Sequence, residues 1–208
     1  EWFVKLPPMK GGTKKFIIQA QLVAPLLSDA VHFDDVLFGD VYLASGQSNM
    51  AFLVQNAFNG SALVQDANNW PNIRLYTSKK LSSSKPLFQQ PEIEEPWSVA
   101  SNISISMNNK RGNGRRLDDD WLYMSAVAWL FARRIHKITE IPVGILNTNW
   151  GGSPIEFWSS PEAMSACTSP RRSLPGTEYN VSGAWNGMIY PLLRTSLRGV
   201  IWYQGEAN

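Results

Sequence analysis

Three apolar runs, each closing on a turn of glycine and small polar residues, do most to constrain the fold of this chain. Val41-Tyr42-Leu43-Ala44 leads into Gly46-Gln47-Ser48-Asn49-Met50. Val143-Gly144-Ile145-Leu146-Asn147 leads into Trp150-Gly151-Gly152-Ser153. Gly199-Val200-Ile201-Trp202-Tyr203 leads into Gln204-Gly205-Glu206-Ala207-Asn208. Runs without polar alternation read as strands buried on both faces. Between them lie helical stretches. Met124, Val127, Ala128, Phe131, Ile135 and Ile138 recur at helical spacing and predict a helix over 123–138, limited by Pro142. Shorter helices are expected in 49–58 and over 184–196, the latter despite Gly187 and Pro191. Ile73-Arg74-Leu75-Tyr76 adds a strand. This alternation predicts an α/β fold with a parallel sheet covered on both faces.

In an open parallel sheet the carboxyl ends of the strands share one edge, so the three turns would converge. Each brings something that acyl transfer needs. Ser48 offers a hydroxyl nucleophile. Gly151 and Gly152 offer N–H groups that no Cβ obstructs. Gln204 and Asn208 offer carboxamide donors for an oxyanion. Each residue also has an ordinary role: Ser48 as a helix cap, the glycine pair as a plain turn, Gln204 and Glu206 as loop residues bonded to backbone. Convergence on one edge favours the chemical reading. Met50 stands where the α/β-hydrolase elbow requires glycine, which disfavours that fold.

The remaining sequence bounds the setting. Residues 1–34 are expected to be β-rich, with Trp2–Leu6 and Lys15–Ala20 as strands around Pro7-Pro8 and Gly11-Gly12, and read as the end of a β-domain or as a β-extension packed on the main domain. Residues 78–120 read as a long loop rich in Ser, Asn, Lys and Pro. Within it Lys110-Arg111 and Arg115-Arg116 face Asp118-Asp119-Asp120, a solvated stretch. The chain has 208 residues and a net charge of +2, too weak to argue for nucleic acid. Its one cysteine, Cys167, excludes an internal disulfide and a zinc cluster. No apolar run approaches a membrane span, and the start of the chain carries no signal-peptide profile. Three N-x-S sequons, at Asn59, Asn102 and Asn180, point to the secretory pathway. Nine tryptophans are many for this length, and Trp150, Trp158 and Trp202 suit sugar stacking.

The three turns resemble the first three blocks of the SGNH (GDSL-like) hydrolases, and more narrowly the sialate O-acetylesterase family, which Asp35–Val41 and Tyr123–Val127 also resemble. The resemblance spans nearly the whole chain. It implies an SGNH-type three-layer α/β/α domain over 35–208, incomplete in this chain, preceded by part of a β-sandwich-like region. It implies Ser48 as nucleophile, with its own N–H and those of Gly151 and the Gln204 side chain around the oxyanion. Asn208 is the reserve donor. Gln47, Asn49, Gly152, Glu156 and Glu206 would bind substrate or brace the loops. No metal or organic cofactor is implied.

A serine nucleophile needs a base within reach and a group to orient it. The family supplies both from a D-x-x-H or D-x-H block after the third turn. This chain has two histidines. His32, in Asp29-Ala30-Val31-His32, precedes Ser48 and reads as a strand or linker residue. His136 reads as solvent-facing near a helix C-terminus. The expected base therefore lies outside the chain, on a companion chain or C-terminal remainder; the family resemblance implies a processed two-subunit form. The expectation is a secreted or lysosomal glycoprotein that removes O-acetyl groups from carbohydrate, with 9-O-acetylated sialic acid favoured by the resemblance. The alternative is a catalytically silent carbohydrate-binding fragment of the same fold.

Overall fold

The computed structural model describes residues 4–24, 27–106, 123–167 and 179–207. Its centre is a five-stranded mixed sheet in the order β5-β4-β6-β3-β7. Strands β3 (Asp40–Gly46), β4 (Ile73–Ser78), β6 (Val143–Asn149) and β7 (Gly199–Tyr203) run parallel. All residues of β4 and β6 are buried, the apolar Val143–Leu146 run as expected and the polar Arg74, Thr77, Ser78 and Asn147–Asn149 with it. β5 (Ile93–Val99) pairs antiparallel with β4 at one edge. It falls inside the expected long loop. Pro96 and the adjacent Glu94 and Glu95 hide it, and an edge strand tolerates a proline that a central one does not. The basic and acidic cluster of 110–120 lies outside the described residues.

Strand alternation divides the core between the two faces of the sheet. On one face Ala44, Ile73, Leu75, Val143 and Ile145 pack against α3 (Ala126–Thr139) and Met50. On the other Leu43, Tyr76 and Leu146 pack against Phe157, Trp158, Ala184 and Met188. Helix α3 starts at Ser125, whose hydroxyl accepts a bond from Ala128 N at 3.2 Å. It ends at Glu140, in the left-handed region at φ 59°. The face it buries takes in most of the expected stripe, since Met124 is buried and Val127 and Ile135 pack against the core, but it is shifted towards Trp129 and Ala132. Ala128, Trp129 and Ala132 are buried, whereas Ile138 is 61% exposed. Small alanines let the helix approach the sheet, and the large Trp129 fills the space beside them.

The expected helix of 49–58 is α1 (Ser48–Ala51) and a 3₁₀ turn at Val54–Asn56, followed by α2 (Gly60–Asp66). The segment expected as a helix over 184–196 is a π-helical turn, Trp185–Ile189, followed by a 3₁₀ turn, Tyr190–Leu192. Two short helices not expected from periodicity, α4 (Ile155–Trp158) and α5 (Pro161–Ala166), follow the second turn.

The amino-terminal region is a two-stranded antiparallel hairpin, β1 (Gly12–Ala24) and β2 (Leu27–Phe38). Strand pairing thus corrects the expected partner of Lys15–Ala20. Residues 4–6 form no strand, Trp2 and Phe3 lie outside the described residues, and Pro7-Pro8 offers no N–H for a ladder. Phe16 and Phe38 meet edge to face at 5.1 Å across the hairpin. An ion pair ties the hairpin to the main sheet: Arg74 of β4 donates to Asp35 of β2 at 2.8 Å.

Candidate active site

The carboxyl ends of β6, β3 and β7 lie side by side, because β3 pairs with both neighbours in parallel register. Gly46 stands opposite Asn149 on one side and Tyr203 on the other. The three turns singled out in the sequence therefore meet at one edge. Gly46 allows the meeting. Its φ is +144°, and a Cβ there would come within 2.0 Å of Tyr203 O. Only glycine lets β3 leave the sheet this close to β7.

Ser48 is the first residue of α1 and half-buried; the helix cap is Gln47, which makes no capping side-chain bond. Ser48 is thus not the cap of its helix. Trp150 N donates to Gly46 O at 3.0 Å, which draws the second turn alongside the first. Gly151 lies against the serine: a Cβ there would stand 3.9 Å from both Ser48 Cα and Ser48 Cβ. Gly152 takes φ +73°, a backbone conformation that favours glycine, and a Cβ there would stand 3.4 Å from the Tyr179 hydroxyl. The Tyr179 hydroxyl donates to Gly151 O at 2.7 Å and holds that peptide in place.

The second and third turns are also tied together. Gln204 Nε2 donates to Ser153 O at 3.4 Å. The buried Ser153 hydroxyl donates to Trp150 O at 2.6 Å and accepts from Trp158 Nε1 at 2.7 Å. Asn49 donates to the Glu206 carboxylate. Gln47, 2% exposed, accepts at Oε1 from Gly205 N, Glu206 N and Ala207 N at 3.1–3.2 Å. Glu156 sits in the first turn of α4, and its backbone oxygen accepts from Ser182 N at 2.9 Å. Asn208 lies outside the described residues.

Aromatic side chains crowd one side of the site. Trp150 meets Phe157 at 5.3 Å and Tyr179 at 6.0 Å, and Trp158 meets Trp202 at 5.9 Å, all edge to face. Trp202 is 42% exposed. A buried carboxamide chain supports the end of β6: Asn149 Nδ2 donates to Asn147 Oδ1 at 2.7 Å, and Asn147 Nδ2 to Tyr123 O at 3.1 Å. No sequence signal marks either Tyr179 or this chain, since both depend on contacts between distant segments.

Neither histidine reaches the site. His32 is on β2 and lines a cavity of about 510 Å³ with Gly39, Asn72, Pro142 and Val143, at the amino ends of the main strands. His136 is half-buried rather than solvent-facing: Nδ1 donates to Ile141 O at 2.7 Å, and the ring meets Trp70 edge to face at 6.0 Å. That contact, too, precedes β6. Both rings are thus at the amino edge, and the strands between them and Ser48 are seven residues long, about 20 Å at the rise of a strand. The three sequon asparagines are far from uniform: Asn59 and Asn180 are exposed, and Asn102 is half-buried with its N–H on Asn68 Oδ1 at 3.1 Å. No group of three or more metal-ligating side chains occurs among the described residues, and no described helix is long and apolar enough to cross a membrane.

Comparison with known proteins identifies the family. Residues 38–208 match the family model of carbohydrate esterase, sialic acid-specific acetylesterase. The sialate O-acetylesterase of Homo sapiens is 37% identical over 213 residues, which cover the whole of this chain and 38% of that protein. The sialate O-acetylesterase of Mus musculus is 33% identical over 240 residues, covering 42% of its length. A carbohydrate acetylesterase from Xanthomonas citri superposes with a TM-score of 0.69 at 29% identity, over 88% of this chain and 36% of that one. The chain thus spans about two fifths of the length of the curated relatives it matches. It belongs to the carbohydrate esterase, sialic acid-specific acetylesterase family.

Proposed function

We propose that this chain carries the nucleophile and the oxyanion hole of a serine esterase that removes O-acetyl groups from carbohydrate. The observation that carries the reading is the convergence of Ser48, the Gly151 backbone and the Gln204 turn at one sheet edge, with Gly151 packed directly on Ser48. Ser48 Oγ attacks the acetyl carbonyl carbon. The developing oxyanion takes hydrogen bonds from Ser48 N, Gly151 N and Gln204 Nε2. The sugar oxygen leaves with a proton from the base, and water then releases acetate and restores the serine. Gly152, Asn49, Glu156 and Glu206 brace the turns. No cofactor is needed.

The base and its orienting carboxylate come from outside these residues, on a companion chain or a C-terminal remainder, because both histidines of this chain sit at the opposite edge. In this reading residues 35–208 are the first part of an SGNH-type α/β/α domain, and 1–34 are the end of a preceding β-region. 9-O-acetylated sialic acid is the favoured substrate, by analogy with the relatives' names. The half-exposed Trp202 beside the site suits a sugar ring. Occupied sequons at Asn59 and Asn180 would place the protein in the secretory or lysosomal pathway.

The distance of both histidines from Ser48 favours one second reading, a carbohydrate-binding module without turnover. A fluorophosphonate probe separates the two. Labelling of Ser48 in native material, abolished by Ser48→Ala, is expected for the esterase. Absence of labelling in an assembly that contains a downstream Asp-x-x-His or Asp-x-His block would leave the binding module.

A further inference from the structure

The side chain of Gln47 occupies a position that the proposed chemistry does not by itself require. Three successive backbone N–H groups, of Gly205, Glu206 and Ala207, converge on its Oε1 at 3.1–3.2 Å. Such a concave run of amides is the kind of nest that holds an anionic oxygen. Gly205 makes it possible: at φ +131° it adopts a backbone conformation that L side chains rarely take, although nothing crowds the space where its Cβ would be. The main chain of Gln47 adds a further bond, N to Tyr203 O at 3.0 Å. The residue before Ser48 is therefore fastened at both its N–H and its side chain to the segment that carries Gln204. Gln47 is 2% exposed, so no sugar can reach its carboxamide without displacing that segment.

We propose that Gln47 is a positioning residue that sets the distance between Ser48 and the Gln204 donor by filling the nest of the third turn. Two consequences follow. The N–H groups of 205–207 are spoken for, which leaves Ser48 N, Gly151 N and Gln204 Nε2 as the oxyanion donors. Gln47 also acts on the transition state rather than on sugar binding, because an oxyanion donor displaced by a fraction of an ångström weakens the intermediate far more than the ground-state ester. The inference rests on the esterase reading for its kinetic part and on geometry alone for the clamp.

The test has two arms. In the first, hydrogen exchange is followed at the amides of 205–207 in this chain. Gln47→Met, which keeps the volume and removes the acceptor, is expected to speed their exchange about tenfold or more. Gln47→Glu, which keeps an acceptor, is expected to retain protection. Unchanged exchange in Gln47→Met, or equal loss in Gln47→Glu, overturns the clamp. In the second arm, kinetics are measured on the assembly that carries the acetylesterase activity. Gln47→Met is expected to lower kcat about 10²-fold with KM within about threefold. A raised KM with kcat preserved would make Gln47 a substrate contact and overturn the assignment. Ser48→Ala run in parallel judges the esterase reading separately: full activity there refutes that reading, while the exchange arm still decides the clamp.

Discussion

At the scale of single residues, Gly46 and Gly151 flank the same serine but fail differently when given a side chain. A Cβ at Gly46 would overlap the Tyr203 carbonyl at 2.0 Å, in a backbone conformation already closed to L residues. Gly46→Ala is therefore expected to part β3 from β7 and to cost about 3 kcal/mol or more, seen as a large fall in melting temperature. A Cβ at Gly151 finds only ordinary contact, at 3.9 Å from Ser48, and φ there is not in the left-handed region. Gly151→Ala is expected to melt within a few degrees of the parent and yet to resist the fluorophosphonate probe, because its methyl occupies space beside the nucleophile. Equal melting of the two variants would contradict the close approach at Gly46. Labelling of Gly151→Ala at the parental rate would contradict the placement of Gly151 against the reacting carbonyl. Tyr179 gives a subtler case. Its hydroxyl holds Gly151 O at 2.7 Å, so Tyr179→Phe is expected to slow labelling about tenfold through one lost hydrogen bond, with little change in melting.

At the scale of elements, the sequence is most legible where burial is complete. β6 opens as an unbroken apolar run, Val143–Leu146, because both its faces are covered, and the chain stands out by its glycines where β3, β6 and β7 end. Ser48, Gly151 and Gln204 are marked by the apolar runs and small-residue turns before and around them, although β7, expected to be buried on both faces, is an edge strand with no fully buried residue. β5 was not legible, because its proline and glutamates describe an edge position as well as they describe a loop. Helix α3 was legible in extent and in most of its core-facing stripe, Met124, Val127, Ala128 and Ile135. The rest of its buried face was not, because Ala132 carries little apolar weight in a periodicity argument but permits close packing beside Trp129. The resemblance implied only that Gln47 binds substrate or braces the loops; its bonds to three backbone N–H groups had no signal, since a carboxamide oxygen filling a backbone nest is a property of the assembled turn. One prediction belongs to this scale. The Ser125 hydroxyl caps α3 and also donates to Met50 Sδ at 3.3 Å, so it joins α3 to α1, which begins at Ser48. Ser125→Ala is expected to cost about 1 kcal/mol, or about 2–4 °C for a chain of this size, and Ser125→Thr or Ser125→Asp to recover part of it. Urea unfolding of the three variants checks the order.

At the scale of the whole molecule, the hairpin and the main sheet are two assemblies fastened by Asp35. Its carboxylate takes Lys15 Nζ at 2.7 Å within the hairpin and Arg74 at 2.8 Å across to β4. Arg74 is largely buried, with a side chain 9% exposed, and also donates to Pro71 O. The hydrogen bond from Lys15 does most to hold the Asp35 carboxyl below its ordinary range, with the Arg74 charge assisting against a partial burial that works the other way. A carboxyl whose folded pKa lies below its unfolded value binds more protons when unfolded. Its contribution to stability is therefore present above the unfolded value, about 3.9, and drains away as the pH falls through the folded one. Asp66 behaves alike, held down first by the bond from Trp70 Nε1 and then by Asn69. Asp35→Asn removes the titration and keeps an oxygen acceptor. It is expected to melt below the parent at pH 7, with the gap starting to close at about pH 4 and gone only once the pH has fallen through the lower folded value, while the Arg74→Met variant stays destabilised throughout, because the Pro71 contact goes as well. Limited proteolysis locates the effect: cutting should rise first within 27–38, where β2 has lost its tie, and only later in the five-stranded sheet. A constant gap between the parent and Asp35→Asn across that pH range would show that the pair with Arg74 does not fasten the hairpin to the sheet.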